Sequence, residues 1–300
     1  MLNNDQIFSK KAKTFYLASV FFPKKIKNDV KILYNFCRYV DDVGDLIQNT
    51  NLKKIQLRKI RNDIKKNKSR DTFVYEFLNI VNLYKIERKI VYDLIDGIYF
   101  DAGSVNIKSE EQLEEYAYKV AGTVGLMMCS IMGVSNRNLF NHAIELGIAM
   151  QITNICRDIK EDLMINRIYF PERIRGFQYE GNLELLRNKE KQQILSKNIL
   201  KLLNKSDLLY KDSLKGTMQL PLRIRFVILC ASKLYQEIGN CIKKNPMQIW
   251  RERIFVRLPK KCLIILVCFV QCLFSLIRNF SHRERNSSKN YYEKFYSKRK

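Results

Sequence analysis

The run Tyr34-Asn-Phe-Cys-Arg38-Tyr-Val-Asp41-Asp42-Val-Gly-Asp45 sets a phenol, a guanidinium and two carboxylates at steps of four, three and four. On a helix these groups share one face. Two carboxylates one turn apart repel each other unless a cation sits between them. Mg2+ suits that place, because it takes hard oxygen ligands from one or two carboxylates together with substrate phosphates. Arg38, one turn earlier, could grip a phosphate as a bidentate fork. Taken alone, the same spacing also fits a solvated acidic helix face.

A second run, Asn154-Ile-Cys-Arg157-Asp158-Ile-Lys-Glu161-Asp162, puts Asn154, Asp158 and Asp162 at i, i+4 and i+8. Its flanks, Gly147, Ala149 and Ile152, are small or apolar, which predicts a buried helix. A polar stripe on a buried helix needs partners. Facing Asp41 and Asp45 across a bundle, it would complete a metal cage between two carboxylate faces. Arg157, Arg167 and Tyr169 follow within reach of a ligand's phosphates. The plainer alternative is an internal ion-pair network.

The elements that must position these groups read as helices. Apolar residues recur at helical spacing over 25–47, 51–70, 71–101 (one or two helices), 109–133, 138–164, 183–212 and 221–243. Proline and glycine are scarce, at 5 and 11, and no strand alternation persists. The fold expected is therefore all-α. The segment Cys262–Ile277 is apolar apart from Gln271 and Ser275 and has basic flanks. It falls short of the ~20 residues of a usual span. Three readings stay open: a last core helix, a helix lying in a membrane interface with its basic tail on anionic lipid, or a short membrane span.

Composition removes several classes. The net charge is +24, but no zinc-finger spacing, RNA-recognition signature or basic heptad array accompanies it, so specific nucleic-acid binding is not expected. Anionic small substrates or an anionic membrane explain the charge as well. The 8 cysteines form no C-x-x-C pair and, without a secretory signal, read as reduced cytoplasmic thiols. Two histidines, His142 and His282, leave little room for a Ser-His-Asp triad or a His-ligated zinc site.

At the second acidic run the sequence resembles the phytoene and squalene synthases. Leu146 through Asp162, continuing to Arg167-Ile-Tyr169-Phe-Pro171, is similar to that family's second signature, and Phe36 through Asp45 to its first. Tyr118-Lys-Val-Ala-Gly122-Thr-Val-Gly125 resembles the glycine-containing helix beside the site, and Lys13-Thr-Phe15 the short entry motif. The likeness runs over roughly 9–255. It implies a single-domain helical bundle of the isoprenoid synthase type with a central apolar cavity over 1–258, followed by 259–300 as apolar helix and basic tail.

By position, the resemblance makes Asp41, Asp45, Asn154, Asp158 and Asp162 magnesium ligands, with Mn2+ an acceptable substitute. Arg38, Gln151, Arg157 and Arg167 become diphosphate contacts. Tyr34, Tyr118 and Tyr235 fall near the reacting carbons, so that Tyr34, Arg38, Tyr118, Arg157 and Tyr235 form the catalytic set. Gly44 departs from the larger residue common before the second aspartate. Gly122, Val124 and Gly125 serve either close helix packing or the pocket.

The implied reaction joins two prenyl diphosphates head to head through a cyclopropyl diphosphate. Loss of a proton then yields phytoene or dehydrosqualene, while hydride from NADPH yields squalene. Phytoene from two C20 geranylgeranyl diphosphates is the expected product. Ser19, one turn after Phe15, leaves room at the pocket's far end, and no G-x-G-x-x-G nucleotide motif is present. Squalene, presqualene diphosphate or dehydrosqualene from two C15 units is the alternative. A family-fold assembly factor without catalysis and a basic-patch binder are the readings from other classes. The enzyme is expected to be a cytoplasmic monomer, with peripheral membrane contact through 260–300.

Overall fold

The computed structural model describes residues 21–47, 49–277 and 290–295. Pro23 opens α1 (Lys24–Leu46), where a missing N–H costs nothing. Asn49 caps α2 (Thr50–Lys66), its side chain accepting from the amides of Asn51 and Leu52. The stretch 71–101 resolves into two helices, α3 (Thr72–Leu83), capped by Asp71, and α4 (Arg88–Phe100).

After Val105–Asn106 come α5 (Glu110–Ala117), a π turn at Tyr118–Gly122 and α6 (Thr123–Ile131). The expected helix over 109–133 is thus divided by a widened turn, a feature that often sits beside functional sites. α7 (Arg137–Arg157) is followed at once by α8 (Ile159–Met164). Then come α9 (Glu172–Arg175), α10 (Asn182–Arg187), α11 (Lys189–Thr217) and α12 (Leu222–Lys244). A 3-10 turn at Pro246–Trp250 precedes α13 (Leu258–Ile277), and α14 (Tyr291–Phe295) docks back on the bundle.

The all-α expectation holds, with one addition. Val105–Asn106 pairs in parallel with Arg167–Ile168. These two rungs fix Arg167 against the end of α4.

α7 is the central element. Its buried residues include Ile144, Ile148, Ala149, Ile152 and Ile155 and wrap most of its circumference, as expected of a helix enclosed by others. It packs against α6, α11 and α12. Glycines set how near α6 can come. A Cβ on Gly147 would lie 2.5 Å from the Ala121 carbonyl oxygen, and one on Gly125 2.5 Å from that of Ala143. Gly125 and Val124 also line the cavity, so packing and pocket roles coincide there.

α13 is not a core helix. Cys268 and Cys272 are buried, whereas Leu266, Val267 and Phe274 are 58%, 55% and 64% exposed. It lies on α12 through Lys260–Glu237 at one end, a Phe226–Phe269 edge contact, and an Arg225–Ser275 hydrogen bond of 2.6 Å at the other.

Candidate active site

A cavity of about 450 Å³ opens among α1, α4, α6, α7, α11 and α12. Leu33, Ile98, Met128, Leu146 and Met150 give it apolar walls, and Tyr34, Arg38, Asp41, Gln151, Asn154 and Tyr235 supply its polar part. Asp41 of the first run and Asn154 of the second line this one cavity, whereas Asp45, Arg157, Asp158, Asp162 and Arg167 are not among its lining residues. Burial raises the Tyr34 phenol to about 12, the nearby Arg38 pulling it down only in part. Tyr34 is a neutral hydrogen-bonding group in this setting.

The charges around the polar part alternate. Arg38 donates to Asp41 at 3.0 Å and also pairs with Asp42. Arg167 donates to Asp45 at 2.8 Å and, through its other terminal nitrogen, to the carbonyls of Gly44 and Asp101 at 3.3 and 3.1 Å. Asp158 accepts from Arg157 Nε at 2.7 Å and from Arg253 at 3.0 and 3.2 Å. Burial alone would raise the Asp158 carboxyl, but the two guanidiniums hold it below its ordinary range.

The straight i, i+4, i+8 stripe needs one correction. Asp158 leaves helical geometry at φ −101°, ψ 21°, so the chain bends between α7 and α8. The ladder survives the bend, since Asp158 N donates to Asn154 O and Asp162 N to Asp158 O, each at 2.9 Å. At the bend Asp158 meets Arg253, a partner that local spacing does not reveal because 95 residues separate them.

Two further residues escaped the sequence reading. Asp101, at the end of α4, accepts from Tyr116 at 2.5 Å and from Tyr169 at 3.0 Å, and the two rings stack 4.9 Å apart. Burial raises its carboxyl to about 6 despite Arg167 and the two phenols. Tyr116 lines the cavity, while Tyr118 does not. Within the π turn, Tyr118 instead stacks on Phe295 at 4.5 Å and donates to Asp93 at 3.2 Å. Phe15 and Ser19 lie outside the described residues.

Among the described residues, no three His, Cys, Asp or Glu side chains are gathered as a ready metal cage. The donor set nevertheless fits a divalent cation. Burial and the neighbouring Asp45 raise the Asp41 carboxyl to about 7. Burial and Asp158 raise that of Asp162 well above its ordinary value. Among the described residues the buried Asn154 Oδ1 has no hydrogen-bond partner. Crowded carboxylates and an orphaned amide oxygen are hard donors of the type Mg2+ takes. The arginines that now hold Asp41, Asp45 and Asp158 would turn to a diphosphate, so that no buried charge is left bare.

Comparison with known proteins agrees with this geometry. A solved dehydrosqualene synthase in complex with a ligand superposes with a TM-score of 0.78 at 27% identity, covering 90% of this chain and 95% of that one. The 15-cis-phytoene synthase of Pantoea ananas is 30% identical over 89% of this chain and 90% of its own length. The chloroplastic phytoene synthase of Daucus carota is 26% identical over 90% and 70%. A sequence profile described as squalene/phytoene synthase matches residues 8–260. With a profile that spans most of its length, the chain belongs to the squalene/phytoene synthase family.

Proposed function

We propose that this protein joins two geranylgeranyl diphosphates head to head, with Mg2+, to give phytoene and free diphosphate. The observation that carries the reading is the cavity itself, whose mostly apolar lining includes the Arg38–Asp41 pair, with Asp45 close to Asp41 and the Asp158–Arg253 pair close to Tyr235. That polarity suits a ligand with a long hydrocarbon tail and a strongly anionic diphosphate head.

The reaction demands that an allylic diphosphate depart as an anion and leave an allylic cation. Arg38, Arg157, Arg167 and Arg253 can face the departing oxygens with fixed positive charge. Bound divalent cations would supply Lewis-acid neutralisation of that same charge, held by Asp41, Asp45, Asn154, Asp158 and Asp162. Apolar walls keep water from the cation while the double bond of the second substrate attacks it. Tyr34 and Tyr235 line the same cavity, where an aromatic ring face would stabilise the cation. Loss of a proton closes a cyclopropyl diphosphate, which releases the second diphosphate on ionising again, rearranges and loses a second proton. The catalytic domain of this reading is 1–258.

The membrane reading applies to the remainder. By length and composition Leu258–Ser275 could cross a bilayer, and the packing of α13 along α12 supports a helix lying in the interface over a span. Its outward row of Leu266, Val267 and Phe274, with Lys260 and Lys261 at one end, suits the interface of an anionic membrane. A cytoplasmic enzyme bound peripherally in this way would deliver an insoluble hydrocarbon where it dissolves.

Purified protein offered C15 and C20 diphosphates, with and without Mg2+ and NADPH, tests the proposal. Phytoene formed only with Mg2+ is expected, with no effect of NADPH. Only a C30 hydrocarbon would overturn the C20 assignment, and no diphosphate release from either would overturn the activity.

A further inference from the structure

The cavity follows α7 in a stripe at helical spacing: Asn154, Met150, Leu146, His142, Leu139. From Asn154 to Leu139 is fifteen residues, about 22 Å of helix. His142 stands at the start of the last turn, twelve residues from Asn154, or about 18 Å. At that distance it cannot meet carbons reacting beside the diphosphate, so a proton-transfer role is excluded.

What the structure does with His142 is hold it still. Its Nδ1 meets the Glu145 carboxylate at 2.9 Å, and the Glu145 side chain is 1% exposed. The other carboxylate oxygen accepts from Asn141 at 3.4 Å, and Asn141 in turn accepts from the Tyr291 amide at 2.7 Å. The ring is backed by Gly216 of α11: a Cβ there would lie 2.5 Å from His142 Cβ and 2.7 Å from its ring carbons Cγ and Cδ2. A bare backbone on one side and a buried carboxylate on the other let the imidazole lie against the wall.

Taking the cavity as the prenyl-tail site proposed above, we propose that His142, seated by Glu145 and Gly216, is the residue that decides which tail length the cavity admits. A hydrocarbon chain extends about 1.2 Å per bond, so one more isoprene unit needs about 5 Å, one turn of α7. The last turn, His142 to Leu139, is the depth by which a C20 tail exceeds a C15 tail. With the imidazole drawn back, that turn is open. A ring standing forward would close it and leave room for the shorter tail.

Two substitutions at His142 act in the same direction. His142→Trp fills the last turn directly, and His142→Phe gives up the hydrogen bond to Glu145 that draws the imidazole back. Binding of the unreactive thiodiphosphates of C15 and C20 chains, measured with Mg2+, reads tail preference without turnover. Competition between the two natural diphosphates reads it again through the products. Wild type is expected to favour C20, and each variant to shift the C20:C15 affinity ratio at least tenfold toward C15, with the product distribution following. If wild type binds both analogues and releases diphosphate but neither variant moves the ratio more than twofold, the role of His142 is overturned while the prenyl-diphosphate reading stands. If wild type binds neither analogue, both fall. A His142→Trp protein that fails to fold leaves His142→Phe, close to histidine in size, to decide the matter.

Discussion

Arg167 reaches back across 122 residues of chain to donate to Asp45 at 2.8 Å, and so locks the second signature onto the first. The same guanidinium holds the carbonyls of Gly44 and Asp101. One side chain thereby sets the end of α1, the end of α4 and the strand pair relative to one another. Gly44 adds to this arrangement through its carbonyl, and its missing side chain leaves room for Ile98, whose Cγ2 would lie 3.0 Å from a Cβ there.

Arg167→Lys keeps the charge but cannot span two carbonyls and a carboxylate with one ammonium. Diphosphate release should fall by more than tenfold, and the midpoint of thermal unfolding should drop by several degrees. Arg167→Met, which strands Asp45 and leaves the carbonyls of Gly44 and Asp101 without its guanidinium, should cost on the order of 3–5 kcal/mol in denaturant unfolding. A methionine variant as stable as wild type would show that the lock is not structural.

Asp158→Asn should abolish turnover while leaving the circular-dichroism spectrum intact. It removes a charge that Arg157 and Arg253 share and a donor proposed for the cation. A loss of ~1.4 kcal/mol in transition-state stabilisation is already tenfold. Retention of more than about a tenth of the wild-type rate at saturating Mg2+ would remove Asp158 from the cation site.

Leu266, Val267 and Phe274 replaced together by glutamate should release the protein from vesicles of anionic lipid in a flotation assay, with unfolding and turnover of short soluble substrates unchanged. These side chains are more than half exposed, so their loss leaves no cavity in the bundle. Wild-type protein that stays out of the lipid fraction at low salt would end the interfacial reading.

Glu114 supports acid-dependent stability. Burial alone would raise its carboxyl, yet hydrogen bonds from Lys205 and Lys294, at 2.7 and 2.8 Å, bring it down to about 2 from an ordinary 4.5. A depressed carboxyl stabilises the fold above its unfolded value and loses that contribution as pH falls through the folded value. Stability should therefore decline between about pH 5 and pH 2. Glu114→Gln should remove on the order of 2 kcal/mol at neutral pH and flatten that part of the profile. Unfolding measured by denaturant across this range checks it.

The helical class, the two acidic runs and the family were legible in the sequence because each is a local property. Spacing by three and four residues fixes which side chains share a helix face, so Tyr34, Arg38 and Asp41 arrive at the cavity together. Where a single helix carries the whole pattern, periodicity is enough.

What the tertiary structure decided are the relations between helices. Periodicity does not register a π turn, and in that turn Tyr116 rather than Tyr118 takes the cavity wall. It does not say which distant arginine will neutralise a buried carboxylate, and Arg253 meets Asp158 only because the chain after Trp250 passes the bend between α7 and α8. Nor could an apolar run near the C-terminus reveal whether it would be enclosed, since that depends on whether another layer covers it. Among the described residues, α13 meets the bundle along a narrow stripe and bares most of its apolar surface. The sequence determined the groups and their faces, and packing determined their neighbours, because burial and counter-charge come from segments far apart along the chain.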